Sequence, residues 1–152
     1  GGGYKLCAVY ENGEWDARIK ISDTVEKTTN PGLKDVYRVY NAEGHAVADL
    51  ITIKGEELDL TRPYAFVDPV RPWKKLKFEN CTAKKLQQKV MEKGKRLFAP
   101  EDVKDIAARV NDQLTNEIWA EEQRIENPHE HYLDMSPAYY QMKMDMLGKA
   151  RE

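Results

Sequence analysis

The order of segments predicts an α+β fold, with antiparallel β-hairpins in the N-terminal half followed by a C-terminal helical subdomain. Three observations carry this reading. Runs rich in β-branched and aromatic residues, separated by turn signals, fill the first half; an apolar stripe of helical spacing begins after Pro100; and no βαβ alternation or internal repeat joins the two parts. The expected organisation is a β-rich region over 1–98 and a helical subdomain over 99–152, together one compact unit. With 152 residues, 41% of them apolar, the chain is long enough to enclose a core of its own.

The first hairpin is expected from residues 4–9 and 18–21, which flank Glu11-Asn12-Gly13-Glu14. Asn-Gly is a strong hairpin signal because both residues tolerate positive φ. Residues 22–34 are polar and contain Asn30-Pro31-Gly32, a loop. A second hairpin pairs Val36-Tyr37-Arg38-Val39-Tyr40 with residues 46–53 around Asn41-Ala42-Glu43-Gly44. Residues 74–90 predict a third extended region, with Glu92-Lys93-Gly94-Lys95 turning it back into Arg96-Leu97-Phe98; the alternative is a short helix over 82–91, since Lys and Gln favour helix.

Val103, Ile106, Ala107, Val110, Leu114 and Ile118 recur at three- and four-residue steps, predicting a helix over 100–126 that Asn127-Pro128 ends. Ser136 before Pro137 reads as an N-cap with proline in the first turn of a last helix running to 147–148.

Charge excludes some functions. Lys and Arg number 24 against 26 Asp and Glu, so no global basic excess points to nucleic acid or an anionic membrane. The distribution is uneven: residues 71–96 hold ten basic residues against Glu79 and Glu92, and residues 101–134 hold ten acidic ones against Lys104, Arg109 and Arg124. The simplest account is two oppositely charged faces, solvated or docked together. Cys7 and Cys81 stand far apart without CxxC spacing, which fits a reducing cytosol and small buried fillers. No apolar run approaches the roughly 20 residues that span a bilayer, so a cytoplasmic protein without membrane or nucleic-acid partners is expected. Gly1-Gly2-Gly3 with no initiator Met reads as a processed or excised start.

The catalytic inventory is thin. His129, Glu130, His131 and Asp134 offer metal donors, but without HExxH spacing or a second cluster, and a helix-connecting loop is the simpler account of them. Neither Ser22 nor Ser136 sits in a GxSxG elbow. The Met142, Met144, Met146 run with Tyr139 and Tyr140 reads as core, and Trp73 beside Lys74 and Lys75 as packing. Gly1, Gly2 and Gly3 with Lys5 differ in kind. Glycines let a phosphate approach backbone N–H groups, and a nearby Lys adds a compact positive charge; a flexible linker is the alternative.

At these residues a family resemblance begins. Gly2-Gly3-Tyr4-Lys5-Leu6 resembles the GG-x-YKL segment of bacterial nicotinate phosphoribosyltransferases, with Gly3 where the family usually has Val. Lys20-Ile21-Ser22, Lys27-Thr28, Asn30-Pro31-Gly32, Lys34 and Val36-Tyr37-Arg38-Val39-Tyr40 resemble the family's KIS…K-x-T-x-PG-x-K-x-VYR-x-Y stretch. Asp68-Pro69 with Trp73-Lys74 resembles DP-x-x-x-WK, and Asn127-Pro128-His129-Glu130 with Tyr132, Asp134 and Ser136 resembles NPHE-x-Y-x-D-x-S. The four motifs stand in family order and cover essentially the whole chain.

The resemblance implies the region that follows the barrel of an enzyme of NAD salvage, which uses ATP and magnesium to convert nicotinate and phosphoribosyl pyrophosphate to nicotinate mononucleotide. It also implies an upstream barrel domain, a homodimer, and a catalytic His outside this chain, so that no catalytic residue or metal ligand is carried over and no cofactor is expected on this piece alone. In the related nicotinamide-using enzymes a glycine cluster binds the 5′-phosphate through its backbone. By that resemblance Gly1, Gly2, Gly3 and Lys5 are the site candidates; Ser22, Lys27 and the Pro31-Gly32 loop either reach the same site or fix the sheet. The competing readings are a non-catalytic dimerisation or protein-interaction module and a nucleic-acid binder using 71–96. A steep salt dependence of affinity would mark the last.

Overall fold

A computed structural model describes residues 3–24 and 27–149, without the side chain of Lys75. Its frame is a six-stranded mixed sheet, order β6-β5-β10-β4-β3-β7, with two hairpins outside it and two helices. The strands are β1 (Ala8–Glu11), β2 (Glu14–Ala17), β3 (Lys34–Tyr40), β4 (Ala46–Ile53), β5 (Tyr64–Val67), β6 (Lys75–Phe78), β7 (Thr82–Lys85), β8 (Met91–Glu92), β9 (Lys95–Arg96) and β10 (Leu133–Met135). The helices are α1 (Val103–Asn116) and α2 (Pro137–Lys149). The fold is α+β.

Both expected hairpin turns form. Asn12 and Gly13 take φ of 53° and 87°, the positive pair a tight two-residue turn requires. Its strands lie closer to the turn than the 4–9 and 18–21 expected, because β1 and β2 pair only from Ala8↔Ala17 inward to Glu11↔Glu14. Cys7 instead gives its carbonyl to the N–H groups of Arg18 and Gly32, at 2.8 and 2.7 Å, and ties the hairpin to the following loop. The second hairpin, β3–β4, matches the reading closely. Its alternation splits the core: Val39 and Leu50 join Leu60 and Phe66 on one face, while Ile51 joins Met135 and Tyr139 on the other, beneath α2.

Residues 74–92 are extended, as the strand reading had it, and not helical. β6 and β7 are the two edges of the sheet, which accounts for much of the basic run at 71–96. Lysine on an edge strand opposes pairing with another sheet, since a charge there would have to lose its water.

Two expectations about the second half are corrected. The helix read over 100–126 ends at Asn116. Beyond it the sheet takes the chain: Ala46 N–H donates to the Glu117 carbonyl at 2.8 Å, the Tyr40 hydroxyl to the Glu117 carboxylate at 2.8 Å, and Trp119 stacks on His45 with ring centroids 3.9 Å apart. Gln123 then donates to the Leu114 and Ile118 carbonyls, satisfying acceptors that the helix end leaves open. Asp102 caps the other end, accepting from Lys104 N–H at 2.8 Å. The stripe of α1 stays exposed, Val103 at 77%.

The second correction is β10, which sequence reading left in the loop between helices. It inserts at the centre of the sheet, parallel to β4 and antiparallel to β5, so the sheet is mixed. Three residues are too few for a period to show, and its neighbours are supplied by distant chain.

Ser136 follows β10 and caps α2. Its Oγ accepts from Tyr139 N–H at 3.1 Å and donates to the Glu56 carboxylate at 2.7 Å, fully buried. A cap is worth about 1 kcal/mol, and loss of the hydrogen bond to the part-buried Glu56 carboxylate, a charged group, adds a comparable cost although Ile53 N–H still donates to the same oxygen. Ser136→Ala is therefore expected to cost about 2 kcal/mol in a denaturant titration; an unchanged midpoint would remove the cap assignment.

Candidate functional site: a basic groove beside the N-terminal segment

The polar loop after β2 is closed at its neck by Thr29 N–H donating to the Lys20 carbonyl at 3.2 Å. Its far end is locked from α2. Tyr139, fully buried, donates its hydroxyl to the Pro31 carbonyl at 2.7 Å. Gly32 has φ of +77°, and a Cβ there would lie 3.1 Å from the Met142 methyl, so the position suits glycine on both counts. The segment from Gly3 to Cys7 runs along this loop, with Lys5 Nζ donating to the Lys27 carbonyl at 3.1 Å.

Two adjoining grooves flank that segment. The larger, about 650 Å³, has Lys5, Arg18, Lys20, Lys27, Ser22 and Thr29 among its walls. The smaller, about 450 Å³, is walled by Gly3, Lys5, Thr28, Asn30 and Lys34 among others. Five cationic side chains and no carboxylate line the pair among the described residues. Arg18 is partly neutralised by Asp16 and Glu11. Lys34 donates to the Asn30 and Gly32 carbonyls, which are neutral, and keeps its charge unopposed by any described carboxylate. Lys143 reaches in from α2 to the Asn30 side-chain oxygen at 2.8 Å; burial and neighbouring Lys5 push its pKa down. This arrangement can hold an oxyanion: charge of one sign, hydroxyls of Ser and Thr, and a glycine whose surroundings are open, with nothing within 4 Å of a Cβ built at Gly3.

Of the sequence candidates, Gly3 and Lys5 lie at this groove, while Gly1 and Gly2 fall outside the described residues. Ser22 and Lys27 line it as well. Lys20, Asn30, Lys34 and Lys143 were missed. The first three are ordinary loop residues by composition, and Lys143 stands 113 positions from its partner, beyond any local pattern.

The histidine cluster is dispersed into structural contacts. His131 sits 3.4 Å from Asp49 and 3.0 Å from Glu122, and Asp49 in turn holds Arg38 at 2.8 Å. The Asp49 contact raises the His131 pKa; burial alone would push the Asp49 carboxyl up, but His131 and Arg38 bring it down to about 2. Asp134 lies elsewhere. Register Met135↔Val67 sets it opposite Asp68, where burial and then the Asp68 charge push its carboxyl up to about 6. Asp68 remains ionised, accepting from the N–H groups of Val70 and Arg71 and from the Arg71 side chain, each at 2.9 Å. Arg71 also reaches Glu130 at 2.9 Å, and Lys74 donates to the Tyr132 hydroxyl at 3.0 Å. The Asp68–Lys74 and Asn127–Ser136 motifs thus meet at one junction, with the roles of a joint and not of a metal site.

The profile of the nicotinate phosphoribosyltransferase C-terminal domain matches residues 33–143, most of the chain. The chain belongs to this family. As a nicotinate phosphoribosyltransferase C-terminal domain it is 32% identical over 149 residues to the nicotinate phosphoribosyltransferase of Bacillus subtilis (strain 168), covering 97% of this chain and 30% of that protein. It is 25% identical over 125 residues to the nicotinate phosphoribosyltransferase of Caenorhabditis elegans, covering 82% of this chain and 22% of that one. The fold is similar to that in the crystal structure of human nicotinic acid phosphoribosyltransferase, with TM-score 0.69 and 14% identity over 77% of this chain and 23% of the other. The domain spans less than a third of the length of these relatives.

Proposed function

We propose that this domain supplies one edge of a phosphate site in an enzyme that converts nicotinate and phosphoribosyl pyrophosphate to nicotinate mononucleotide. The observation that carries the reading is the pair of grooves along Gly3 to Cys7, lined by five cations and no carboxylate among the described residues. Gly3 lies at the wall of the smaller groove with open space around it, where a phosphate can approach its backbone N–H, and Lys5 contributes charge. A groove of this sign attracts a phosphorylated substrate and holds it without reacting with it; the transfer chemistry belongs to residues outside this chain.

In this reading the domain works as one unit of β-rich region 1–98 and helical subdomain 99–152, joined through β10, which lies between β4 and β5. It completes a site whose other walls come from an upstream barrel and, in a homodimer, from the second subunit. The enzyme acts in the cytoplasm, in NAD salvage. Its relatives share the family, and the chain is a minor part of each. ATP and magnesium are assigned to the rest of the protein. The sequence has no GxxxxGK[ST] loop.

The test is a bulky residue at Gly3 in the whole protein. Gly3→Leu is expected to raise the KM for phosphoribosyl pyrophosphate at least tenfold more than that for nicotinate, because the side chain enters the groove where the phosphate would sit; tenfold corresponds to ~1.4 kcal/mol of lost binding. Equal effects on the two substrates would mean a structural glycine and would remove the phosphate reading.

A further inference from the structure

Three lysines converge on oxygen atoms of the 27–32 loop. Lys5 Nζ donates to the Lys27 carbonyl at 3.1 Å, and Lys34 Nζ to the Asn30 and Gly32 carbonyls at 2.9 and 3.2 Å. Lys143, on α2, donates to Asn30 Oδ1 at 2.8 Å. An ammonium group has three N–H donors and no acceptor, so Lys143 can meet only the oxygen end of the Asn30 amide. That contact fixes the amide's sense. The oxygen is committed to α2, and the two N–H donors on Nδ2 have no acceptor among the described residues. Asn30 lines the smaller groove together with Gly3, Lys5 and Lys34.

We infer that Asn30 donates its amide N–H groups to an oxyanion in the smaller groove, and that Lys143 is the positioning residue that holds the amide in that orientation. The inference rests on the phosphate reading of the groove and adds two residues to it. Charge supports the pairing. No described carboxylate pairs with Lys34 or Lys143, so both ammonium groups keep their field, and the lowered pKa of Lys143 comes from burial and from Lys5, a cost that a bound anion would relieve. A neutral donor set between such cations adds direction to an attraction that is otherwise spherical.

The experiment titrates inorganic phosphate into the whole protein by calorimetry, alongside KM values for phosphoribosyl pyrophosphate and nicotinate. Asn30→Asp keeps an oxygen for Lys143 but loses every N–H and adds a negative charge, and is expected to weaken phosphate binding at least tenfold through the lost hydrogen bond and charge repulsion together. Asn30→Ala should weaken it about fivefold. Lys143→Met, which frees the amide to turn over, should raise the KM for phosphoribosyl pyrophosphate about threefold with the KM for nicotinate unchanged; Lys143→Arg, again a pure donor, should restore it. If wild-type protein binds phosphate and Lys5→Met weakens it, but both Asn30 variants bind like wild type, the present inference is overturned while the groove stands. If wild-type protein does not bind phosphate, or Lys5→Met binds like wild type, the phosphate reading falls and this inference with it. Should Lys143→Met fail to fold, Asn30→Ala decides, because it removes the amide donors without adding a charge that would itself repel phosphate.

Discussion

Asp134→Asn is expected to stabilise the protein at neutral pH by up to roughly 3 kcal/mol, an unusual sign for a substitution at a fully buried position. Asp134 is 1% exposed, faces ionised Asp68 across the β10–β5 pair, and has one carboxylate oxygen with no hydrogen-bond partner among the described residues. Burial first, and the Asp68 charge second, push its carboxyl from the ordinary 3.8 to about 6. Each pH unit of that displacement is worth ~1.4 kcal/mol.

The sign follows from proton binding. Between the unfolded and folded pKa values the folded protein holds more protons at this site, so stability from Asp134 is complete below about pH 4 and lost as pH rises through about 6. Asparagine is isosteric and carries no charge at any pH. The difference in unfolding free energy between variant and wild type should therefore grow from pH 4 to pH 7 and then level off. Asp49, held down to about 2, has the opposite dependence and cancels in the difference, being common to both proteins. A variant less stable than wild type at pH 7, or a difference that does not change with pH, would show that Asp134 is ionised and satisfied in the folded state.

How much of this was legible in the sequence depends on distance along the chain. The β3–β4 hairpin was readable because Asn41 to Gly44 and the flanking Val, Tyr and Ile residues settle turn and strand locally. The cap at Ser136 was readable for the same reason. The end of α1 was not, since Ala46, Tyr40 and His45, which draw away Glu117 and Trp119, lie more than 70 residues upstream. β10 was hidden by its length. At the site, the glycines and Lys5 were visible as a cluster, and the family motifs drew attention to Ser22 and Lys27. Asn30 was read only as part of a turn, because its partner Lys143 is visible only once α2 is folded onto the loop.

In the proposed function this domain completes a phosphate site without containing the catalytic centre. Phosphoribosyl transfer needs groups fixed on the pyrophosphate, the ribose and the base together, because positioning and preorganised charge supply much of the rate. The grooves beside Gly3 offer cations and hydroxyls for one phosphate, while two of the three histidines make contacts elsewhere: His131 with Asp49 and Glu122, His45 against Trp119. The direct measurement incubates the purified 152-residue chain, shown to be folded by a cooperative thermal transition, with nicotinate, phosphoribosyl pyrophosphate, ATP and magnesium, beside the whole protein. Nicotinate mononucleotide should form only with the whole protein; turnover by the chain alone near the whole protein's rate would contradict the account and place a complete active site within these residues.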